Sequence, residues 1–242
     1  KEIRRVLRIW DKTIIPPGTT MSLSFIISGT LIGRRIGQMD GFQYMEYIAP
    51  GLIMMSVITN SYGNVVGSFF NEKIQRHIEE MLVSPMDETS IVIGYLAGGI
   101  IRGLFVATVV SFIALFFTEL NIKYPLLALL VIIMTASVFS LAGLINAIFA
   151  KKFDDIAVIP SFVLAPLTYL GGVFYTVSLL PEFWQTVSRL NPILYMVNSM
   201  RYSVLGSSDI EIMDGLLMIS GFFILLLSVA VYLLKKGIGI RD

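Results

Sequence analysis

The ionisable side chains of this sequence are placed so as to exclude most catalytic and ion-coupled chemistry. No Asp or Glu lies in the middle of a long apolar stretch, because all the acidic residues fall in connections or at stretch edges. Arg102 is the ionisable residue that falls well inside such a stretch. Proton-coupled transport within a membrane ordinarily depends on buried carboxylates. Any transport by this chain is therefore expected to draw its energy from outside the bilayer.

Metal-binding and nucleophilic side chains are also scarce. The sequence contains no Cys, and His77 is its single histidine. One imidazole does not make a metal site, and without cysteine there is no thiolate nucleophile or disulfide framework. We predict neither a catalytic residue nor a metal site, and we interpret His77 as a surface polar residue.

The elements that position these residues are six long apolar stretches. Of the 242 residues, 55% are hydrophobic and only 14% are charged, with a mean hydropathy of +0.79. A helix of about 20 apolar residues crosses the hydrocarbon core of a bilayer. The sequence therefore predicts an all-α membrane protein with transmembrane helices over Ile15–Arg34, Ile48–Phe70, Ile93–Phe117, Pro125–Ala150, Ile156–Phe174 and Ile212–Leu234.

The distribution of basic residues predicts the orientation. Most Lys and Arg residues fall in segments that are cytoplasmic when the N-terminus is inside, which favours N-in and C-in by the positive-inside rule. Arg34 and Arg35 are a local exception. Arg102 lies closer to the predicted cytoplasmic end of its span, so we expect it to extend toward the headgroups. We predict one transmembrane domain over residues 1–242, because no connection is long enough to fold separately.

The opening segment Lys1–Lys12 has apolar residues at helical spacing with arginines between them. This pattern predicts an amphipathic helix on the membrane surface, although an ordinary basic flank of the first span fits equally well. The chain begins with Lys1 rather than Met, so we expect residues to precede it.

The longest predicted cytoplasmic connection contains a second amphipathic pattern. Asn71–Leu82 places Ile74, Ile78 and Leu82 on one helical face, and Glu72 precedes Arg76 by four residues, the favourable order for an ion pair. Ser84, Pro85 and Asp87 then resemble a helix stop and restart. The segment is interpreted either as a docking helix for a cytoplasmic partner or as a solvated connector.

The last outer connection predicts two short helices. Pro181 starts one apolar run, and Asn191-Pro192 starts another that Gly206 ends. Each helix is too short to cross a bilayer but apolar enough to enter it. The pair is predicted to be either a re-entrant hairpin in the outer leaflet, anchored at the headgroups by Arg189 and Arg201, or a pair lying on the surface.

Three sequence runs give the chain a resemblance to a known family. They are residues 78–85 (IEEMLVSP), residues 166–175 (PLTYLGGVFY), and Leu190-Asn191-Pro192 followed by Arg201-Tyr202. The whole chain resembles permease subunits of type-2 ATP-binding-cassette (ABC) exporters. Such permeases have an N-terminal interfacial helix, six spans, a cytoplasmic coupling helix and a re-entrant outer helical hairpin before the last span.

The resemblance implies a half-transporter of the inner membrane. A second copy of the chain and two ABC ATPase subunits would complete it, with ATP and Mg on the ATPases and no cofactor in this chain. Its cargo would be a lipid, a lipid-linked glycan or a hydrophobic drug-like molecule. The implied coupling residues are Glu72, Arg76, Glu79, Glu80, Leu82 and Pro85. The implied substrate path contains Ser22, Ser24, Thr59, Asn60, Tyr62, Asn64 and Thr168. The implied outer hairpin contains Pro181, Trp184, Asn191, Pro192 and Arg201.

Other functions have less support in the residues. The sequence has no Gly-x-x-x-x-Gly-Lys-Ser/Thr phosphate loop, so this chain is not expected to hydrolyse ATP. The net charge of +1 does not suggest a nucleic-acid partner, whereas membrane lipids are expected contacts. An ion-coupled secondary transporter or a channel is the alternative, but it needs an intramembrane relay or charged pore for which only Arg102 qualifies. A membrane enzyme lacks a nucleophile–base pair.

Overall fold

A computed structural model describes residues 10–78 and 87–239, and these residues are mostly helical. The longer helices are α1 (Trp10–Ile27), α3 (Tyr44–Ile74), α4 (Glu88–Ala114), α5 (Pro125–Phe149) and α10 (Ile212–Lys236). Shorter helices are α2 (Arg34–Ile36), α6 (Phe153–Ile159), α7 (Ala165–Tyr169), α8 (Glu182–Arg189) and α9 (Pro192–Leu205). A two-residue hairpin pairs β1 (Gln38–Met39) with β2 (Phe42–Gln43) in antiparallel register.

Helices α3 and α5 form the centre of the bundle. Both pack against α4 and α9, and most of their side chains are buried. Helix α10 covers α5 and α9, and α1 covers α4. The buried side chains of these helices form one apolar core.

Four described segments are long and apolar enough to cross a membrane. They are Ile15–Ile36, Glu88–Ala114, Pro125–Phe149 and Ile212–Lys236. The first segment contains a π-helical turn, Ser28–Gly33, between α1 and α2. The proposed interfacial helix over Lys1–Lys12 lies mostly outside the described residues, but Trp10–Lys12 belong to α1 itself.

The predicted fifth span is not one regular helix. Helix α6 passes through a π-helical turn, Pro160–Leu164, into α7, which ends at Tyr169. The last regular helix of this stretch therefore ends five residues before the predicted span end at Phe174. Gly172 has a φ of +70°, a left-handed conformation that ends helical continuity and that glycine adopts readily. Proline at positions 160 and 166 removes two backbone donors from the same stretch.

Close backbone approach fixes the distance between α3 and α5. A Cβ atom placed on Gly143 would lie 2.7 Å from the carbonyl oxygen of Tyr62, which is backbone and cannot rotate away. Gly103 of α4 is similarly close to the side chains of Ser61 and Ala136. Small residues at such crossings allow membrane helices to pack through backbone contact.

Gly143→Ala is therefore expected to separate α3 from α5 and to destabilise the protein by about 1–3 kcal/mol, the usual range for overpacking. The thermal midpoint of purified protein in detergent measures the effect. Gly221→Ala is the matched control, because nothing lies within 4 Å of a Cβ at that position. Equal midpoints for the two variants would show that the crossing tolerates a methyl group.

Candidate functional site

One face of the central helix α3 is open although the rest of that helix is buried. Thr59 and Gly63 are exposed and Gly67 is partly exposed, whereas their neighbours along the helix are almost all buried. No atom lies within 4 Å of a Cβ placed on Gly63 or Gly67. These positions recur every four residues, so they form one continuous stripe, which we call the α3 stripe.

The predicted path residues divide into two groups. Ser22 and Ser24 of α1 and Thr59 and Asn60 of α3 are at least partly exposed. The side chains of Tyr62, Asn64 and Thr168 are buried. Two of these buried side chains, Tyr62 and Thr168, form hydrogen bonds with groups inside the bundle.

Tyr62 accepts a hydrogen bond of 2.7 Å from Asn146 Nδ2 of α5. The Thr168 hydroxyl group donates to the carbonyl oxygen of Leu164, one turn earlier. Both groups are therefore satisfied inside the bundle rather than directed toward the α3 stripe.

Arg102 lies midway along α4 and is directed toward α3. Its Nη2 atom donates a hydrogen bond of 3.4 Å to Asn60 Oδ1, and its side chain is partly exposed. The guanidinium therefore contacts the neighbouring helix, and its extension to the cytoplasmic headgroups stays a prediction. Asn60 in turn donates to the carbonyl oxygen of Ser56.

The C-terminal end of α3 is sharply turned. The helix ends at Ile74, and Arg76 follows with a φ of +58°, which is left-handed and rare for a residue with a side chain. The prediction of one continuous helix over Asn71–Leu82 is therefore wrong at its start, and Glu72 and Arg76 do not share a helix. Glu72 is partly exposed and Arg76 is exposed. The other predicted coupling residues, Glu79, Glu80, Leu82 and Pro85, lie outside the described residues.

Lys73 connects the end of α3 to the end of α5. Its ammonium group donates hydrogen bonds to the carbonyl oxygens of Ile148, at 2.5 Å, and Ala150, at 3.0 Å. Carbonyl groups in the last turn of a helix lack helical partners and carry a partial negative charge, so a lysine there is stabilising. Sequence reasoning missed this role, since nothing in the local pattern links residues 75 positions apart.

A charged turn starts the fifth predicted span, as the sequence suggests. The backbone N–H groups of Lys151 and Lys152 donate to Asp155 Oδ2 at 2.8 and 2.9 Å. These hydrogen bonds hold the pKa of the Asp155 carboxyl below its ordinary value. The turn also contacts α3, because Phe153 packs edge-to-face on Phe70 with ring centroids 5.1 Å apart.

The two short helices predicted before the last span are present as α8 and α9. Asn191 caps α9 by accepting a hydrogen bond of 3.0 Å from the N–H of Ile193, and Pro192 occupies the first turn. Asn191 also donates to the carbonyl oxygen of Leu167 at 2.6 Å, which attaches the hairpin to α7. Pro181 and Trp184 are exposed at the start of α8.

Arg201 of α9 is the centre of a buried polar cluster. Its side chain is 1% exposed and its guanidinium lies 3.9 Å from the ring centroid of Tyr47. The prediction that Arg201 anchors the hairpin at the headgroups is wrong, because the charge is enclosed by protein.

Four segments supply the partners of this guanidinium. It donates to the carbonyl oxygens of Gly172 at 2.6 Å and Tyr47 at 3.4 Å, and to Asn198 Oδ1 at 3.3 Å. Asp209 Oδ2 lies 3.8 Å away, and its side chain is 17% exposed. Sequence reasoning missed Tyr47, Asn198 and Asp209, since only the three-dimensional fold brings them to Arg201.

The architecture and a sequence match together decide the family. The profile of the ABC-2 type transporter family matches residues 1–205. The chain belongs to the ABC-2 type transporter family. It is therefore a permease, and the resemblance noted from its sequence runs is confirmed.

Individual ABC-2 relatives agree with this assignment. The inner membrane transport permease YadH of Escherichia coli (strain K12) is 52% identical over 242 residues, which are 100% of this chain and 94% of YadH. Nodulation protein J of Rhizobium leguminosarum bv. viciae is 25% identical over 179 residues, 74% of this chain and 69% of the relative. The same-named protein of Rhizobium meliloti (strain 1021) is 26% identical over 188 residues. The predicted location in the bacterial inner membrane is confirmed.

Arg201→Leu is expected to destabilise this ABC-2 permease by about 3 kcal/mol, because it leaves buried carbonyl and amide oxygens without a donor and Asp209 without its cation. The thermal midpoint in detergent is the measurement. Arg189→Leu is the control, since Arg189 is exposed on the same hairpin. Thermal midpoints equal to that of the parent protein for both variants would show that the Arg201 cluster does not stabilise the fold.

Proposed function

We propose that the chain is the membrane-spanning half of an ATP-driven exporter that moves a lipid, a lipid-linked glycan or a hydrophobic drug-like molecule outward. The α3 stripe is the observation that carries this proposal. A central helix whose other faces are buried leaves one small and polar face open, with Thr59 and Asn60 beside Gly63 and Gly67. Such a face can contact a cargo that has both polar and apolar parts.

The energy for transport would come from separate ATPase subunits. The described residues place no carboxylate in the middle of a helix that could cross the membrane, so an ion-coupled relay lacks its usual group. Two copies of this chain and two ABC ATPases, which hold ATP and Mg, would form the complete transporter. Membership of a transporter family whose permeases work with ATPase subunits supports this assembly.

The membrane arrangement that fits this function has six spans with both termini inside, in one domain over residues 1–242. Helix α3 would be the second span, and the broken helix from α6 to α7 would be the fifth. The hairpin of α8 and α9 would enter the outer leaflet beside the exit. The attachment of Asn191 to Leu167 supports a hairpin that moves with the fifth span.

The segment after Ile74 would receive the movement of the ATPases. Glu72, Arg76, Glu79, Glu80, Leu82 and Pro85 are the proposed contact residues. The left-handed φ of +58° at Arg76 interrupts the chain directly after α3, so this helix does not continue unbroken past Ile74. Ser22, Ser24, Thr59 and Asn60, which are at least partly exposed, are the proposed path residues. The buried Tyr62, Asn64 and Thr168 would reach the path only if the helices move apart.

Reversing both charges with Glu79→Lys and Glu80→Lys is expected to reduce co-purification of the ABC ATPase and to abolish stimulated ATP hydrolysis in proteoliposomes. Lys151→Glu together with Lys152→Glu is the matched control on another connection predicted to be cytoplasmic. Unchanged assembly and unchanged stimulated ATPase activity would exclude this segment as the coupling site. Transport driven by an ion gradient without any ATPase would instead favour the ion-coupled alternative.

Gly63→Leu is expected to abolish cargo-stimulated ATPase activity while leaving the thermal midpoint of the permease unchanged, because a side chain at this position meets no atom within 4 Å in one protomer. Gly221→Leu is the control on α10, where a Cβ is equally unopposed. Full activity of the Gly63→Leu complex would contradict a path along α3. Loss of the two-copy assembly on a sizing column would assign the stripe to subunit contact instead.

A further inference from the structure

An apolar groove runs along the N-terminal part of α5. Its volume is about 720 Å³, and its wall is formed by Leu126, Leu127, Leu129, Leu130 and Ile133. Leu126 is 80% exposed, and Leu129 and Leu130 are each nearly half exposed. The described lining residues beyond these are Lys123, Tyr124 and Pro125, which lie together where α5 begins.

The polar end of this groove is held in a fixed position. The backbone N–H groups of Lys123 and Tyr124 donate to the carbonyl oxygens of Val204 and Ser203, at 3.2 and 2.8 Å. The ring of Tyr124 stacks on Tyr202 with centroids 5.5 Å apart and planes 9° from parallel. The entrance is therefore built against α9 by two hydrogen bonds and a ring contact.

The ammonium group of Lys123 also has a defined place. Its side chain passes over Gly206, where a Cβ atom would lie 2.8 Å from Cδ and 2.9 Å from Nζ. Gly206 has a φ of +75°, a left-handed conformation that glycine adopts readily. A larger residue at this position would also collide with the Lys123 side chain. Lys123 is exposed and precedes the first residue of α5 by two positions. The unpaired N–H groups of that first turn form the positive end of the helix dipole.

These features favour one kind of occupant. The wall of this groove consists of leucine and isoleucine side chains. Where such side chains are exposed on a membrane helix, they contact the acyl chains of lipids. The lysine and the helix N-terminus at its polar end are complementary to a negative headgroup. Lys and Tyr at that level are also the residues typical of membrane–water interfaces.

We propose that this groove binds an anionic phospholipid, with one acyl chain against Leu126, Leu129 and Leu130 and the headgroup phosphate on the Lys123 ammonium group. The site depends on the location of the chain in a membrane and not on the transport reaction. Two parts of one lipid are thus recognised by two separate features of the protein. The acyl chain of the lipid contributes contact area, and its phosphate group makes the site selective for anionic over zwitterionic lipids.

Native mass spectrometry of the purified permease tests the site. The protein is titrated with phosphatidylglycerol and, in parallel, with phosphatidylethanolamine. The parent protein is expected to bind phosphatidylglycerol more tightly. Lys123→Gln should remove this preference, and Lys123→Arg should retain it. Lys151→Gln, at an exposed lysine far along the chain from the groove, should behave as the parent protein.

A second variant tests the apolar part independently. Leu130→Trp should fill the groove and weaken binding of both lipids at an unchanged thermal midpoint. Equal preference in the parent protein and Lys123→Gln would overturn the proposal, as would unchanged binding by Leu130→Trp. The sequence lacks cysteine, so a single Leu130→Cys also permits clean cross-linking. Efficient disulfide formation between two copies would show that a second copy covers the groove, which would also overturn it.

Discussion

The buried guanidinium of Arg201 is the constraint on which the packing of α9 against α3 and the chain after α7 depends. A charge enclosed by protein must be paired and hydrogen-bonded, because its desolvation costs several kcal/mol. Its partners come from α3, from the chain after α7, from α9 and from the connection to α10. The backbone at Gly172 is irregular, and irregular backbone inside a membrane protein needs a partner within the protein. Arg201 supplies that partner, so the break in the fifth span and the buried charge satisfy each other.

Two other polar contacts of the bundle are of a different kind. Tyr62 pairs with Asn146 across the contact between α3 and α5, and Arg102 pairs with the neutral amide of Asn60. Hydrogen bonds of this kind join membrane helices without creating a site where a proton is gained and lost. A polar stripe is left open on α3 because small residues there are unopposed, not because a charge is required. This combination suits a path whose conformation is changed from outside the membrane.

The sequence predicts most of the elements but few of their partners. Apolar length locates α4, α5 and α10 to within a few residues, and Asn191-Pro192 with Gly206 locates α9, because caps and breakers act locally. The turn after Ile74 was missed, since Arg76 adopts a left-handed conformation that its residue type does not indicate. The burial of Arg201 was missed for a related reason. Its hydrogen-bonding partner at Gly172 lies 29 positions away, and an arginine in an amphipathic pattern is equally typical of a surface anchor.

Both ends of α3 are bound to other helices. A displacement of its C-terminal end would therefore also act on those helices. Lys73 attaches the lower end to the last carbonyl groups of α5, and Phe70 packs on Phe153 at the start of the fifth span. At the upper end Tyr47 is bound to Arg201, which also holds Gly172 at the end of that span. On the proposed function, a displacement of the residues after Ile74 would act on α3, α5 and α6 together, because Lys73 and Phe70 connect these helices. The open stripe at Thr59, Gly63 and Gly67 lies between these two attachments, on the part of α3 that neither of them covers.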